Sequence, residues 1–85
     1  MEIFVRDKKT KKIYPIDVSP YNTVEEIKEK IEAVTGVPPI NQKVTFGGKE
    51  FVFKRKLVDY GVEKGQTINM TFIERSEEEI KEMER

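Results

Sequence analysis

Cysteine, histidine and tryptophan are absent from the 85 residues of this chain. Without cysteine there is no disulfide and no thiolate nucleophile; without histidine there is no imidazole to move protons, and the usual zinc ligand sets are gone. An excess of charge of one sign is missing too. Sixteen basic residues cancel sixteen acidic ones, so no global field holds nucleic acid or gathers cations. No apolar run approaches the length that spans a bilayer, and Glu2, Arg6 and Asp7 interrupt any apolar leader at the start. These absences lead us to expect a protein of the cytoplasm or nucleus, outside the membrane, a monomer, with no cofactor and no metal. Glycine is scarce, five residues in all, and none follows Gly65.

What is present is a soluble pattern, 36% hydrophobic and 38% charged, at a length that supports one domain and one core. Its clearest stretch runs from Thr23 to Gly36. Val24, Ile27, Ile31 and Val34 recur at helical spacing and lay one apolar stripe along three to four turns. Thr23 with Glu26 three residues on has the capping-box pattern, Gly36 supplies a left-handed stop, and Pro38-Pro39 prevent the helix from resuming. Lys28 lies along the stripe and needs a partner or a route to water.

Around the helix the period is two. Met1, Ile3 and Val5 alternate with Glu2, Phe4 and Arg6; after the polar tip of residues 7–12 the alternation resumes at Tyr14, Ile16 and Val18. Pro15 cannot donate to a ladder, which predicts a sheet-edge position for the second strand. Residues 43–46, a Gly47-Gly48 turn and residues 49–53 read as a second hairpin. A long loop follows, anchored by Leu57, Tyr60 and Val62. A last strand over residues 66–73 then places Ile68, Met70 and Phe72 on one face and Thr67, Asn69 and Thr71 on the other. The pattern predicts an α+β fold, a mixed sheet of about five strands with one main helix across one face. Residues 1–73 form the domain and residues 74–85 a charged tail, where Ser76 and Glu79 set up a second capping box.

Catalytic patterns are missing. Glu77, Glu78 and Glu79 form a helix-start run rather than an opposed acid–base pair, and neither Gly47-Gly48 nor residues 61–65 has the Lys-Ser/Thr that follows a phosphate-cradling loop. No enzymatic activity is expected. Basic residues gather at 6–12 and 54–56, which keeps an RNA-contacting role as a minor alternative; nucleic acid is otherwise not an expected partner.

Met1-Glu2-Ile3-Phe4-Val5, Thr23-Val24, Ile27-Lys28, Lys30-Ile31, Gly36-Val37-Pro38-Pro39, Gln42, Phe46, Gly48-Lys49, Leu57 and Asp59-Tyr60 resemble the ubiquitin family in order and spacing. The resemblance covers residues 1 to about 73 and implies the β-grasp fold, in which the second strand lies at the sheet edge. Two departures bear on function. Conjugated members of that family end in a diglycine, whereas this chain runs Phe72-Ile73-Glu74-Arg75-Ser76 into a charged tail, which implies a domain not joined to other proteins through its own C-terminus. The family's main binding surface is an apolar patch on the exposed sheet face. Its positions here are Thr45 and Thr71, with Asn69 beside them and Lys8 or Lys9 at the hairpin tip, so receptors of that patch should bind poorly; Lys49, at or beside a position that carries a chain-linking lysine in ubiquitin, is a further candidate contact.

A different apolar set, Phe4, Ile13 and Pro15, is predicted on the solvent face of the first two strands. Scattered exposure is one reading of it and a partner site at the hairpin the other. The resemblance therefore implies an adaptor or signalling module. Its partners would be other proteins, including those of the ubiquitin–proteasome system. A free-standing modifier that acts without covalent attachment is the alternative.

Overall fold

The computed structural model describes residues 1–74. The elements in order are β1 (Glu2–Asp7), β2 (Ile13–Asp17), α1 (Val24–Thr35), a 3-10 turn (Pro39–Asn41), β3 (Gln42–Phe46), β4 (Lys49–Glu50), a second 3-10 turn (Leu57–Tyr60) and β5 (Thr67–Phe72). The strands make one sheet in the order β2-β1-β5-β3-β4, with β1 and β5 parallel and every other pair antiparallel. The capping box suggested at Ser76 lies outside the described residues.

Both ends of α1 are fixed as the sequence implies. Glu26 N–H donates to Thr23 Oγ1 at 3.3 Å and Thr23 N–H returns a bond to Glu26 Oε1 at 3.3 Å, while Gly36, at φ 78°, donates to the Glu32 carbonyl at 2.8 Å. The Glu26 carboxyl is held below its ordinary value, chiefly by the Thr23 backbone N–H, because that bond forms only to the charged carboxylate's lone pairs at full strength. Val24, Ile27 and Ile31 are buried as expected. Val34 is not: it keeps the spacing of the stripe but stands in the last turn beside the cap, where the core no longer covers it, and is 37% exposed.

Under the helix the inward residues of each strand alternate with outward ones. Ile3, Val5, Ile16, Val44, Ile68 and Met70 reach the core, and Phe51, Leu57 and Val62 close it from the long loop. Two expectations about strands need correction. The fourth strand ends at Glu50 rather than running to residue 53: Phe51 N–H still bonds the Val44 carbonyl at 2.7 Å, but its ring then turns into the core and Val52 leaves the ladder. Phe72 is 41% exposed, because its cross-strand partner Gln42 occupies the interior at that end of the sheet. Gln42 is fully buried, and its Nε2 donates to the Lys28 and Val37 carbonyls at 2.8 Å each. Lys28 in turn sends its ammonium to the Gln42 carbonyl at 3.3 Å, the partner its place on the stripe required.

Pro15 sits where a missing donor does no harm. Phe4, opposite it, gives its own N–H to the Gln66 carbonyl at 2.9 Å on the far side, so Phe4 and Pro15 form a non-hydrogen-bonded pair and the proline nitrogen faces outward from the sheet edge.

Candidate functional site

The outward positions of the five strands form a face whose rows follow from the registers. One row runs Pro15, Phe4, Thr67; the next runs Ile13, Arg6, Asn69, Thr45, Glu50; beyond it Thr71 stands opposite Lys43. The structure thus brings together Phe4 and Pro15 as a direct cross-strand pair. Ile13 lies on their diagonal, at a Cβ spacing of roughly 7–8 Å, within reach of an aromatic ring. Ile13 is 56% exposed, Pro15 is exposed and Phe4 half-buried. Thr45 and Asn69 are direct partners and Thr71 lies two residues along, all half-buried.

Lys49 is not part of this face. It pairs with Phe46, whose side chain points to the helix side, so Lys49 belongs to the opposite parity and looks toward the long loop. At the hairpin tip, Asp7 Oδ1 accepts from the Lys9 and Thr10 N–H groups at 2.9 and 3.3 Å, which shapes the turn that carries Lys8, Lys9, Lys11 and Lys12. Arg6, Lys8, Lys9, Lys11, Lys12 and Lys43 are all exposed, and none is ion-paired among the described residues. The face is therefore polar and cationic at its tip end, with its apolar part confined to the β1–β2 hairpin.

A second surface was not evident from alternation. Lys49, Glu50, Val52, Arg55, Asp59 and Tyr60 line an open groove of about 520 Å³ between the end of β4 and the second 3-10 turn. Tyr60 lines it and is stacked against the buried Phe51, ring centroids 4.2 Å apart and 20° from parallel. Its walls are held by side chains. Tyr60 Oη accepts from Val52 N–H at 2.7 Å, Asp59 Oδ2 accepts from Lys56 N–H at 2.8 Å, and Glu25 Oε1 on α1 accepts from Lys54 N–H at 3.0 Å.

Of the seven large apolar residues exposed among those described, four lie here or on the adjoining loop: Val52, Phe53, Val58 and Tyr21. Val58 N–H bonds the Pro20 carbonyl at 2.8 Å, which joins the Tyr21 loop to the groove's 3-10 turn. The readable signal was the run Phe51-Val52-Phe53. Three successive apolar residues at the end of a hairpin cannot all point inward.

No group of three or more acidic residues is placed to hold a metal ion, and no helix is long and apolar enough to cross a membrane, both among the described residues.

A five-stranded mixed sheet grasping one helix, with its other face open to solvent, defines the β-grasp class of small domains. Residues 3–75 match the ubiquitin family, and the chain belongs to that family. It is 33% identical over 61 residues to the ubiquitin-like protein NEDD8 of Dictyostelium discoideum, covering 72% of this chain and 79% of that one. To the NEDD8-like protein RUB3 of Arabidopsis thaliana it is 33% identical over 70 residues, 82% of this chain and 88% of the relative. To ubiquitin D of Homo sapiens it is 36% identical over 66 residues, 75% of this chain but 40% of the relative, so the domain also occurs as part of a longer chain.

Proposed function

We propose that this domain is a protein-interaction module without enzymatic activity, and that it is not conjugated through its own C-terminal segment. The observation that carries the reading is the stretch after β5. Residues 73–85 contain no glycine, and Phe72-Ile73-Glu74-Arg75-Ser76 stands where conjugated relatives keep their diglycine. A charged, branched segment does not fit the narrow channel an activating enzyme offers a glycine tail. The sheet face supports the same reading, since Thr45, Asn69 and Thr71 expose hydroxyls and an amide where an apolar patch would be read.

Its partners are other proteins, among them members of the ubiquitin–proteasome system. Its compartment is the cytoplasm or nucleus. Contact on the sheet side is centred on Phe4, Ile13 and Pro15.

The test is in two parts. Incubation of the chain with ATP and purified activating enzymes for ubiquitin and NEDD8 is expected to give no reducible adduct, and protein tagged at its N-terminus in cells is expected to run only at its own mass. An isopeptide bond formed from the chain's own carboxyl end to a lysine of another protein overturns the reading. In an amide-shift titration with a receptor that recognises apolar sheet patches, Thr45, Asn69 and Thr71 are expected to stay put; large shifts there overturn the second half.

A further inference from the structure

We infer that the tip end of the outer sheet face is an electrostatic docking surface, and that its occupant is an acidic segment of another protein, held by cations laid across three strands. This surface, whose partner class rests on reading the domain as an interaction module, adjoins the Phe4, Ile13 and Pro15 cluster but shares no residue with it.

The registers build it. Lys43 stands opposite Thr71 on one side. On the other, Lys8 N–H bonds the Met70 carbonyl at 3.0 Å, which carries the β1–β5 ladder one residue past Asp7 and sets Lys8 level with Thr71. Lys8 and Lys43 therefore flank Thr71, their backbones about 10 Å apart across β5. One row back, Arg6 flanks Asn69. The Thr71 hydroxyl and the Asn69 side-chain amide lie among the three cations, and neither is hydrogen-bonded among the described residues, so both are left to donate to a carboxylate.

The charge here is of one sign. Arg6, Lys8 and Lys43 are exposed and not ion-paired among the described residues, and the turn beside them adds Lys9, Lys11 and Lys12. Asp7 is buried and accepts from the Lys9 and Thr10 N–H groups. Glu50, the acid in the Arg6 row, sits at its far end, with Asn69 and Thr45 between. Glu2 and Asp17 face each other at the opposite end of the hairpin, and Glu74 lies past the last ladder bond, which Ile73 makes. Carboxylates on a partner gain from every cation of the cluster, and a basic partner is repelled by all of them.

Two other anionic occupants match less well. Single-stranded nucleic acid needs rings to stack on, and the outward positions of these two rows carry none, while a net charge of zero gives a duplex no wider field. Residues 75–85 of the chain hold five glutamates, but Arg75, Lys81 and Arg85 are spread among them and compete for the same acids.

The experiment titrates the isotope-labelled full chain with three probes: a peptide of glutamate alternating with serine, the same peptide with glutamine for glutamate, and a single-stranded oligonucleotide. The glutamate peptide is expected to shift the amides of Arg6, Lys8, Lys43, Asn69 and Thr71, and to bind roughly tenfold more weakly on going from about 0.05 to 0.5 M salt. The other two probes should leave those amides unmoved. Arg6→Glu, Lys8→Glu and Lys43→Glu should each weaken binding about threefold or more. All three positions are exposed, and glutamine there serves as the milder change should a reversed charge prove disruptive. Lys64→Glu makes the same change of charge at the other end of the sheet, where Gly65 N–H bonds the Glu2 carbonyl at 2.9 Å, and should leave binding nearly as it was.

The proposal is overturned if the glutamate peptide leaves these amides still, if the glutamine peptide or the oligonucleotide moves them as strongly, or if Lys64→Glu weakens binding as much as Lys43→Glu. Tighter binding after Glu77, Glu78 and Glu79 are changed to Gln would make the chain's own acidic residues the occupant, and overturns the external partner. None of these results bears on the C-terminal segment as a site of conjugation, since no activating enzyme enters the titration.

Discussion

The outer sheet face and the groove beside the second 3-10 turn are both surfaces of one small domain, but they are built in opposite ways. On the sheet face the backbone ladder does the holding. The bonds that fix Thr45 against Asn69 belong to main-chain groups, and the outward side chains contribute little to them. At the groove the side chains are the structure: Tyr60 holds Val52, Asp59 reaches back to hold Lys56 at the start of its turn, and Glu25 holds Lys54. Recognition chemistry on a ladder can therefore change at almost no cost to stability. In a side-chain-braced loop, the residues that would touch a partner also keep the surface in shape.

Substitutions can break this contrast, and the largest effect is expected where groove and core coincide. Phe51→Ala removes a ring that is 1% exposed and stacked on Tyr60, so a loss of about 3–5 kcal/mol is expected in urea unfolding. The amide shifts of Val52 and Tyr60 should move more than those of Thr45 and Asn69. Equal movement on both surfaces would erase the distinction. Next comes Gln42→Ala, on the inward side of β3. It strips two carbonyls of their Nε2 partner and opens a small cavity, for about 2 kcal/mol, measured the same way.

Thr23→Ala is smaller, about 1 kcal/mol, because it deletes one cap bond at the partly exposed start of α1. It also carries a pH signature. The folded Glu26 carboxyl lies below its ordinary 4.5, so the stability it contributes is complete above that value and is lost as pH falls through the lower folded value. Unfolding curves of the wild type at neutral and acidic pH should reveal that loss, and in Thr23→Ala it should shrink. The smallest stability change, under about 0.5 kcal/mol, is expected for Thr45→Ile combined with Thr71→Val on the sheet face. That pair should nonetheless gain affinity for a receptor of apolar sheet patches, read by titration calorimetry. A large stability change would show that the face is not free to vary.

How much of this was legible in the residues follows the same division. The helix could be bounded from Thr23, Glu26 and Gly36, because caps are short-range chemistry written in adjacent residues. The edge position of β2 could be read from Pro15, because a missing donor constrains the ladder wherever it occurs. Phe4, Ile13 and Pro15 fell on one face because period-two alternation fixes parity. The side that Lys49 takes was not readable in the same way, because it follows from its register with Phe46 across the turn.

Other misreadings involve burial that alternation alone does not decide. Phe72 has the right parity but meets an interior already filled by Gln42, and Val34 has the right spacing but no cover. The groove escaped notice because its parts lie at positions 49 to 60 and are joined by an aromatic stack and three side-chain bonds, none of which has a period.

The two borders of the sheet have a further consequence. One ends in a strand whose middle residue is a proline turned outward, and the other in a stub of two residues. Neither offers a row of free amides long enough for a stray chain to copy, so growth into fibrils by stacking at the rims is discouraged from the outset. A crowded compartment can hold such a domain at high abundance, and what attaches to it must do so through side chains rather than by lengthening its sheet.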